Sequence, residues 1–353
     1  MLADLIPESF FSGIEQQWPW ALWLLAAGAI ALLVFGADRA VTAAVRLASA
    51  LGLSKIIIGA TVVSLGTTSP EAFTSVTAAF QGKPGLALGN GIGSIICDTG
   101  LIFGLCCCIK PLPLDRFVLN RHGWLQLGSG ALLTGVALVA ALWAGGFEGA
   151  MISRWVGVAL LVLLVGYMAV SVHWARQRPE IVPDEAAAGR ATQPGLAKQT
   201  LWSLVVLVVG LAMVILGSNV LVGSASALCL RYGVPQSILA ATLVAFGTSL
   251  PELVTAIASL AKGHADLLIG NVIGADILNV LFVVGASAAA TPLKIDREVF
   301  YLLLPVMMLV LILLRVFIFT NRDRFPRWQG AVLVAVYVAY VAAVVHFGVA
   351  GTL

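Results

Sequence analysis

Residues 60–104 read ATVVSLGTTSPEAFTSVTAAFQGKPGLALGNGIGSIICDTGLIFG, and residues 241–285 read ATLVAFGTSLPELVTAIASLAKGHADLLIGNVIGADILNVLFVVG. The two segments align without a gap, and about a third of the aligned positions are identical. Many of the identical pairs are polar or helix-breaking residues: Gly66/Gly247, Thr67/Thr248, Pro70/Pro251, Glu71/Glu252, Gly89/Gly270, Asn90/Asn271 and Gly93/Gly274. Chance similarity between two apolar segments would match Leu and Val instead, so it does not explain these pairs. The pattern indicates two copies of one structural unit.

The composition around this repeat predicts an all-α integral membrane protein. Hydrophobic residues make up 60% of the 353 residues and charged residues only 10%. A soluble domain carries about 25% charged residues, so this chain has too few for a surface that faces water. Most of the apolar runs exceed the roughly 20 residues that span a bilayer, and they lack the alternation of a β-barrel strand. The net charge of +3 is too small to indicate nucleic-acid binding.

The apolar runs predict about ten transmembrane helices in two groups of five. A polar stretch at 176–200 separates a first repeat at 1–175 from a second at 201–353, and we expect it to be a cytoplasmic linker. Since five is odd, the second group enters the membrane from the opposite side, so the repeats are inverted and their paired interruptions mark a site near the midplane. The predicted helices lie near 20–50, 55–81, 85–109, 122–144, 152–175, 201–230, 236–262, 266–290, 298–320 and 328–349.

The distribution of Lys and Arg predicts the orientation. One set of alternating loops holds most of these residues, whereas the opposite set holds only Lys83, Arg154, Arg231, Lys294 and Arg297. The positive-inside rule makes the first set cytoplasmic and places both termini outside. Asp38 and Arg39 near the inner end of the first helix are interpreted as an interfacial pair that reaches toward the headgroups. The five cysteines lie in apolar segments, and we expect neither a disulfide nor a zinc site.

The repeat motifs resemble a known family. GTTSPE at 66–71 and GTSLPE at 247–252, with GNGIGSIICD at 89–98 and GNVIGADILN at 270–279, are similar to the two α-repeats of the sodium/calcium exchanger family, in the calcium/cation antiporter superfamily. The resemblance implies a bacterial-type multi-pass protein of the inner membrane, with ten helices around four central ion sites. It implies exchange of Ca²⁺ against Na⁺, with inorganic cations and membrane lipid as partners. We expect no cofactor, nucleic acid or obligate protein partner.

The chemistry of the motifs suits cations. Ionisable residues inside a membrane are costly and mark ion pathways, and neither Glu71 nor Glu252 has a Lys or Arg nearby in sequence. The alternative is a protonated structural glutamate, against which the symmetry of the pair argues. Pro70 and Pro251 each free the carbonyl four residues earlier, and carbonyl oxygens are ligands for Ca²⁺.

Hydroxyl residues precede the two glutamates. Thr67 and Thr248 lie one helical turn before them, so their hydroxyls reach the same face if the helix continues. Thr68 and Ser249 add neighbouring hydroxyls. Each hydroxyl could instead bond its own backbone. The repetition of the threonines favours ion ligation.

The next helix of each copy supplies further candidates. Asp98 and Asn279 occupy one repeat position, where the family carries an acidic or amide ligand. With the two glutamates they imply three formal negative charges, which one divalent ion would neutralise in part and up to three monovalent ions more fully. Asp276 departs from the family pattern, and Ala275 replaces an expected serine. Three roles remain open for Asp276: a fourth acidic ligand, a proton carrier or a residue at the mouth of a cavity.

A secondary antiporter is therefore the leading interpretation, not an enzyme. No GxxxxGK[ST] string is present for direct use of ATP. The alternative within the class is a Ca²⁺/H⁺ or K⁺-dependent cation exchanger. A passive channel is disfavoured by two inequivalent repeats without a pore-loop motif. An intramembrane aspartyl protease is disfavoured because its GxGD string is missing.

Overall fold

The computed structural model describes residues 8–177, 196–232 and 245–350. A short helix precedes the first membrane crossing, and six further helices complete the first half: α1 (Glu8–Gln17), α2 (Pro19–Leu51), α3 (Lys55–Thr67), α4 (Ser69–Phe80), α5 (Pro84–Ile109), α6 (Arg116–Trp143) and α7 (Arg154–Gln177). The second half contains α8 (Leu196–Arg231), α9 (Ala245–Thr248), α10 (Leu250–Ala261), α11 (Ala265–Ala290), α12 (Val299–Thr320) and α13 (Arg327–Ala350).

The protein is a multi-pass helical membrane protein. The described residues contain eight helices long and apolar enough to cross a bilayer, or nine when the bent pair α3 and α4 is counted as one span. This confirms the predicted fold class. The first residues of the predicted helix at 236–262 lie outside the described part of the chain. The structure describes this helix from α9 onward. Most of the predicted linker at 176–200 also lies outside the described residues.

Four two-residue strands reveal the relation between the halves. β1 (Leu112–Pro113) pairs with β4 (Arg324–Phe325), and β2 (Met151–Ile152) pairs with β3 (Leu293–Lys294). β1 and β3 follow the same helix of each repeat, as do β2 and β4. Exchanging the halves therefore converts one pair into the other, which is the reciprocity of a two-fold axis. With five crossings in the first half, the two copies run in opposite directions through the membrane.

The core of the fold consists of α5 and α11. In the apolar centre of α11, 94% of the residues are buried, and in that of α5 72%, against 17% to 50% in the other spanning helices. Glycines permit this burial: a Cβ on Gly270 or Gly274 of α11 would overlap the backbone of Ile56 or Ala60 in α3. The segments that carry GNGIGS and GNVIGA thus lie at the centre of the molecule, where glycine allows backbones to approach closely.

The two long helices α2 and α8 pack against each other outside this core. A Cβ on Gly36 would lie 2.9 Å from the carbonyl oxygen of Gly210, and one on Gly217 3.1 Å from that of Ala29. Such spacing requires small residues along the shared surface. Because Gly36 and Gly217 are separated by the same 181 residues as the repeat motifs, this contact follows the two-fold relation too.

The interfacial position of Asp38 and Arg39 stays a prediction, and the two side chains have different partners. Asp38 Oδ1 lies 2.6 Å from Nζ of Lys262, at the end of α10, whereas the Arg39 guanidinium lies over the Phe35 ring at 4.7 Å. Consecutive helical residues point about 100° apart, so neighbours in sequence do not face each other. Each side chain instead found a partner on its own side of α2.

Candidate functional site: a buried polar group on the repeat axis

The helix of each repeat is interrupted beside the glutamate. In the first copy α3 ends at Thr67 and α4 begins at Ser69, with a bend of 42°. In the second copy Ser249 separates α9 from α10. Pro70 and Pro251 lie in the first turn after each break, where a missing backbone N–H costs least. The interruptions predicted from the two prolines are therefore present in both copies.

The glutamates that follow these breaks are deeply buried. Glu71 and Glu252 are each 1% exposed. Both carboxylate oxygens of Glu71, and Oε2 of Glu252, have no hydrogen-bond partner among the described residues. The Glu71 carboxyl interacts electrostatically with those of Glu252 and Asp98. The structure thus gathers the sequence-predicted acids into one region.

Asp98 and Asn279 face each other across the axis. Asn279 Nδ2 donates to Asp98 Oδ2 at 3.4 Å, and both residues are 1% exposed. Asp98 lies in a π-helical segment of α5 (Ile96–Phe103), and Asn279 begins the matching segment of α11 (Asn279–Val284). π-Helical turns recur at functional sites because they redirect side chains and loosen the backbone ladder. Equivalent positions meet only on a symmetry axis, so this contact locates it.

The predicted hydroxyl residues line the same region. Thr67 and Ser249 are fully buried, and Thr68 Oγ1 donates to Glu252 Oε1 at 3.4 Å. Thr67 Oγ1 also donates to the backbone oxygen of Ser64 at 3.3 Å, so the expected competition from the helix backbone is present. Thr248 Oγ1 donates to Asn90 Oδ1 at 3.1 Å. The hydroxyls therefore connect the two copies.

Asn90 and Asn271 belong to this region although they were not among the predicted site residues. Thr67 Oγ1 lies 3.5 Å from Asn271 Oδ1, the reciprocal of the contact between Thr248 and Asn90. Asn90 Nδ2 also donates to the backbone oxygen of Glu71 at 3.3 Å. The signal was available in the sequence, since both asparagines are identical between the repeats.

Asp276 lies apart from these contacts. It is 1% exposed, and its Oδ2 accepts hydrogen bonds from Thr99 Oγ1 at 2.5 Å and from Gln126 Nε2 at 2.6 Å. Gln126 is on α6, which no sequence motif had connected with the repeats. Of the predicted site residues, Asp276 is the one whose side chain is bonded to Thr99 and Gln126, neither of which was a predicted site residue.

The predicted site residues other than Asp276 are here named the central group: Glu71, Glu252, Asp98, Asn279, Thr67, Thr68, Thr248 and Ser249. This group can offer oxygen atoms to a cation. Six of its buried side-chain oxygens have no hydrogen-bond partner among the described residues: Oε1 and Oε2 of Glu71, Oδ1 of Asp98, Oγ of Ser249, Oε2 of Glu252 and Oδ1 of Asn279. Buried polar atoms are almost always bonded, so such a set calls for a ligand. Ca²⁺ takes 6–8 oxygens from carboxylates, amides and carbonyls.

The central group is not a cage made of acids alone. In the part of the chain that the structure describes, no three Asp, Glu, His or Cys side chains lie close enough together to hold a metal ion by themselves. Amide and hydroxyl oxygens stand between the carboxyls. A cation here would be held by a mixture of charged and neutral oxygens, which suits hard cations that bind and leave again.

The sequence matches the family model described as sodium/calcium exchanger protein over residues 21–173 and 202–346, which covers both repeats. The chain belongs to the sodium/calcium exchanger family. Members of this family are secondary transporters that exchange cations, and the match extends from α2 to α7 and from α8 to α13. The family resemblance found in the repeat motifs is confirmed.

Relatives of this exchanger family cover most of the chain. The inner membrane protein YrbG of Escherichia coli is 34% identical over 317 residues, which are 88% of this chain and 93% of the relative. The sodium/calcium exchanger MaX1 of Methanosarcina acetivorans is 28% identical, covering 90% of this chain and 96% of its own length. The solved structure of the sodium-calcium exchanger NCX_Mj, soaked with Na⁺ and Sr²⁺, has a TM-score of 0.75 and 28% identity over 90% of this chain and 98% of its own.

Proposed function

We propose that this exchanger moves Ca²⁺ against Na⁺ by alternating access to the central group. The observation that supports it is the set of six unpartnered buried oxygens contributed by both repeats. An empty collection of carboxyls at this depth would be unfavourable, and cations between them would offset the repulsion. The relatives MaX1 and NCX_Mj are named as sodium/calcium exchangers, and the solved structure of NCX_Mj shares the fold of this chain, which favours the same pair of ions.

We assign the cation ligands to both copies of the repeat. Glu71 and Glu252 supply the shared charge, and the Asp98 and Asn279 pair supplies a carboxylate and an amide. Three carboxylates carry up to three negative charges. One Ca²⁺ neutralises two of them, and three Na⁺ neutralise all three. The hydroxyls that complete the set are those of Thr67, Thr68, Thr248 and Ser249. Asp276 is left out of this set, because its hydrogen bonds go to Thr99 and Gln126.

Movement of the α2–α8 pair past the core would open the central group to each side in turn. The pair is held together by close backbone contacts at Gly36, Gly210 and Gly217, so it can move as one body. Its attachment to the core includes Gly66, where a Cβ would overlap the Leu211 side chain. Sliding of packed helices is a known means of domain movement.

We further propose that the repeats at 1–175 and 201–353 are joined by a cytoplasmic linker, with both termini outside. The clustering of Lys and Arg in one set of loops supports this orientation. Cysteine labelling from each side, in a variant without the native cysteines, tests it. A residue of 176–200 that is labelled only from outside would reverse the orientation. The bacterial inner membrane is the expected location.

The ion pair exchanged is tested by uptake of ⁴⁵Ca²⁺ into proteoliposomes. A gradient of Na⁺, K⁺ or H⁺ is imposed alone in each experiment. Uptake driven by an outward Na⁺ gradient, with no uptake under a K⁺ or H⁺ gradient, supports Na⁺/Ca²⁺ exchange. Uptake driven by the H⁺ gradient alone would contradict it, and so would continued Ca²⁺ flux without any counter-ion.

A further inference from the structure

Asp276, Thr99 and Gln126 form a second buried polar cluster, here named the flanking cluster. Thr99 and Gln126 both donate to Oδ2 of Asp276, and Gln126 Nε2 also lies 3.2 Å from Thr99 Oγ1. Oδ1 of Asp276 is buried and has no hydrogen-bond partner among the described residues. The cluster joins three helices, α5, α6 and α11, immediately beside the contact between Asp98 and Asn279.

The equivalent place in the other half is apolar. The offset of 181 residues between the repeats continues past the motifs, since Pro111, Asp115 and Arg116 align with Pro292, Asp296 and Arg297. It matches the three members of the flanking cluster with Ile95, Val280 and Met307, all fully buried in the main hydrophobic cluster. The fold therefore accepts an apolar core at this place. The polar version was not needed for packing.

Among the residues that the structure describes, the Asp276 carboxyl has no positively charged partner. None of the ion pairs between described residues includes it. A bare carboxylate in the membrane interior is strongly disfavoured, so a cation must neutralise it. A metal ion would need several oxygens around Oδ1, but the two polar neighbours present an O–H and an NH₂ group to Oδ2 instead. A proton needs only one oxygen, and Oδ1 is the one left over.

We propose that Asp276 is a proton-binding site, separate from the central group, and that its proton lowers the affinity of the central group for Ca²⁺. The carboxyls of Asp98 and Asp276 interact electrostatically, which provides the coupling. When the proton leaves, a negative charge appears near the central group and attracts a divalent ion more strongly. The affinity for Ca²⁺ should therefore rise as the pH rises. The first part of the proposal stands alone, and the second rests on the proposed function.

Other ionisable groups surround this part of the bundle and must be separated from Asp276 by mutation. Asp98 and Cys97 lie on α5, and Glu71 and Glu252 follow the two helix breaks. His122 lies one turn before Gln126 on α6 and is 1% exposed, packed against Tyr167 and Trp174. Arg121 on α6 lies over the Phe117 ring, while Lys55 and Asp266 pair at 4.0 Å at the far end of α11.

Infrared difference spectroscopy on the purified full-length protein tests proton binding directly. The wild type should show a carboxylic-acid carbonyl band at low pH that disappears as the pH is raised, and Asp276→Asn should lack that one band. Gln126→Met, which copies the other half, should shift the band because Oδ2 loses a hydrogen bond. Asp266→Asn, on the same helix, should leave it unchanged. An Asp276→Asn spectrum that keeps every acid band would overturn the proposal.

The effect on Ca²⁺ is measured by ⁴⁵Ca²⁺ binding to the same protein as a function of pH. The wild-type affinity should rise over the pH range in which the Asp276 band disappears, and that rise should be lost in Asp276→Asn. An identical rise in both proteins would overturn the coupling. If Asp276→Asn does not fold, a band shift in Gln126→Met still supports the site, and its absence contradicts it. The infrared result does not require transport, so failure of Na⁺/Ca²⁺ exchange leaves it readable.

Discussion

The two repeats agree in backbone chemistry and differ in charge. Glycine, proline, asparagine and the motif glutamate recur at equivalent positions, because each sets a break, a close approach or the shared centre. Charge differs at several places, among them Asp98 against Asn279, Asp276 against Ile95 and Lys262 against Gln81. The fold thus requires a symmetric backbone but not a symmetric electrostatic field. An exchanger whose two openings face different solutions can use that asymmetry.

The largest expected effect comes from the residues that the copies share. Glu71→Gln and Glu252→Gln should each reduce ⁴⁵Ca²⁺ exchange in proteoliposomes to background while the protein remains folded, because each removes one of the buried negative charges. Glu148→Gln, at an exposed ion pair with Arg297, is the matched control and should exchange normally. If either glutamine variant exchanges at near the wild-type rate, the assignment of the central group is wrong.

The first charge difference, Asp98 against Asn279, should have a smaller effect. If Asp98 is ionised, Asp98→Asn lowers the affinity for Ca²⁺ more than that for Na⁺, since Coulomb attraction to a divalent ion is twice as large. If it carries a proton, the substitution changes chiefly the pH dependence. Asn279→Asp adds a charge and should favour a further monovalent cation or a proton.

The double variant Asp98→Asn with Asn279→Asp sharpens this test. Because the two side chains meet on the axis at 3.4 Å, exchanging them restores one carboxylate and one amide at nearly the same place. We expect partial recovery of the wild-type affinities, measured between about pH 6 and pH 9, where a poorly hydrated carboxylate can titrate. Unchanged affinity, ion preference and pH profile in Asp98→Asn would remove Asp98 from the central group.

The shared glycines predict an effect on stability rather than selectivity. A Cβ on Gly270 would overlap the Ile56 carbonyl oxygen, and a backbone atom cannot move aside easily. Gly270→Ala should therefore destabilise the fold by about 1–3 kcal/mol, the usual cost of overpacking. Thermal unfolding in detergent measures it. Gly135→Ala is the control, since its Cβ would meet no described atom within 4 Å, and an equal loss in both variants would contradict the close-packing argument.

Periodicity and the repeat predicted most of the fold, because both depend on residues close in sequence. The helix breaks at Thr68 and Ser249 followed from Pro70 and Pro251. The flanking cluster could not be predicted, because Gln126 meets Asp276 only after helices 150 residues apart in sequence pack together.

Ion pairs at the surface could not be predicted for the same reason. Asp38 and Arg39 were expected to reach the interface together, but the sequence did not indicate the ion-pair partner of Asp38, Lys262, which lies 224 residues away along the chain. Proximity in sequence does not predict ion pairs, whereas a Glu or Asn that recurs at equivalent positions of the two repeats indicates a residue near their shared centre. The missed asparagines, Asn90 and Asn271, were recoverable by that rule.

The smallest effect should come from the contact between Lys262 and α2. Lys262 Nζ lies 2.6 Å from Asp38 Oδ1 and donates to the Thr42 hydroxyl, whereas the other half has Gln81 and Asn219 at the equivalent positions. This ion pair connects α2, one of the helices proposed to move, to the end of α10.

With side chains 28% and 52% exposed, the pair of Lys262 and Asp38 is worth at most about 1 kcal/mol, so Lys262→Gln should shift the balance between the two access states by no more than about fivefold. We expect the apparent Ca²⁺ affinity measured from the side of Lys262 to change, while the maximal exchange rate is retained. The reciprocal variant, Gln81→Lys with Asn219→Asp, should create a similar ion pair in the other half and shift the balance between the two access states in the opposite direction. A Lys262→Gln protein with no exchange at all would show that Lys262 does more than hold α2, and equal shifts in the same direction from both variants would refute the idea that the halves oppose each other.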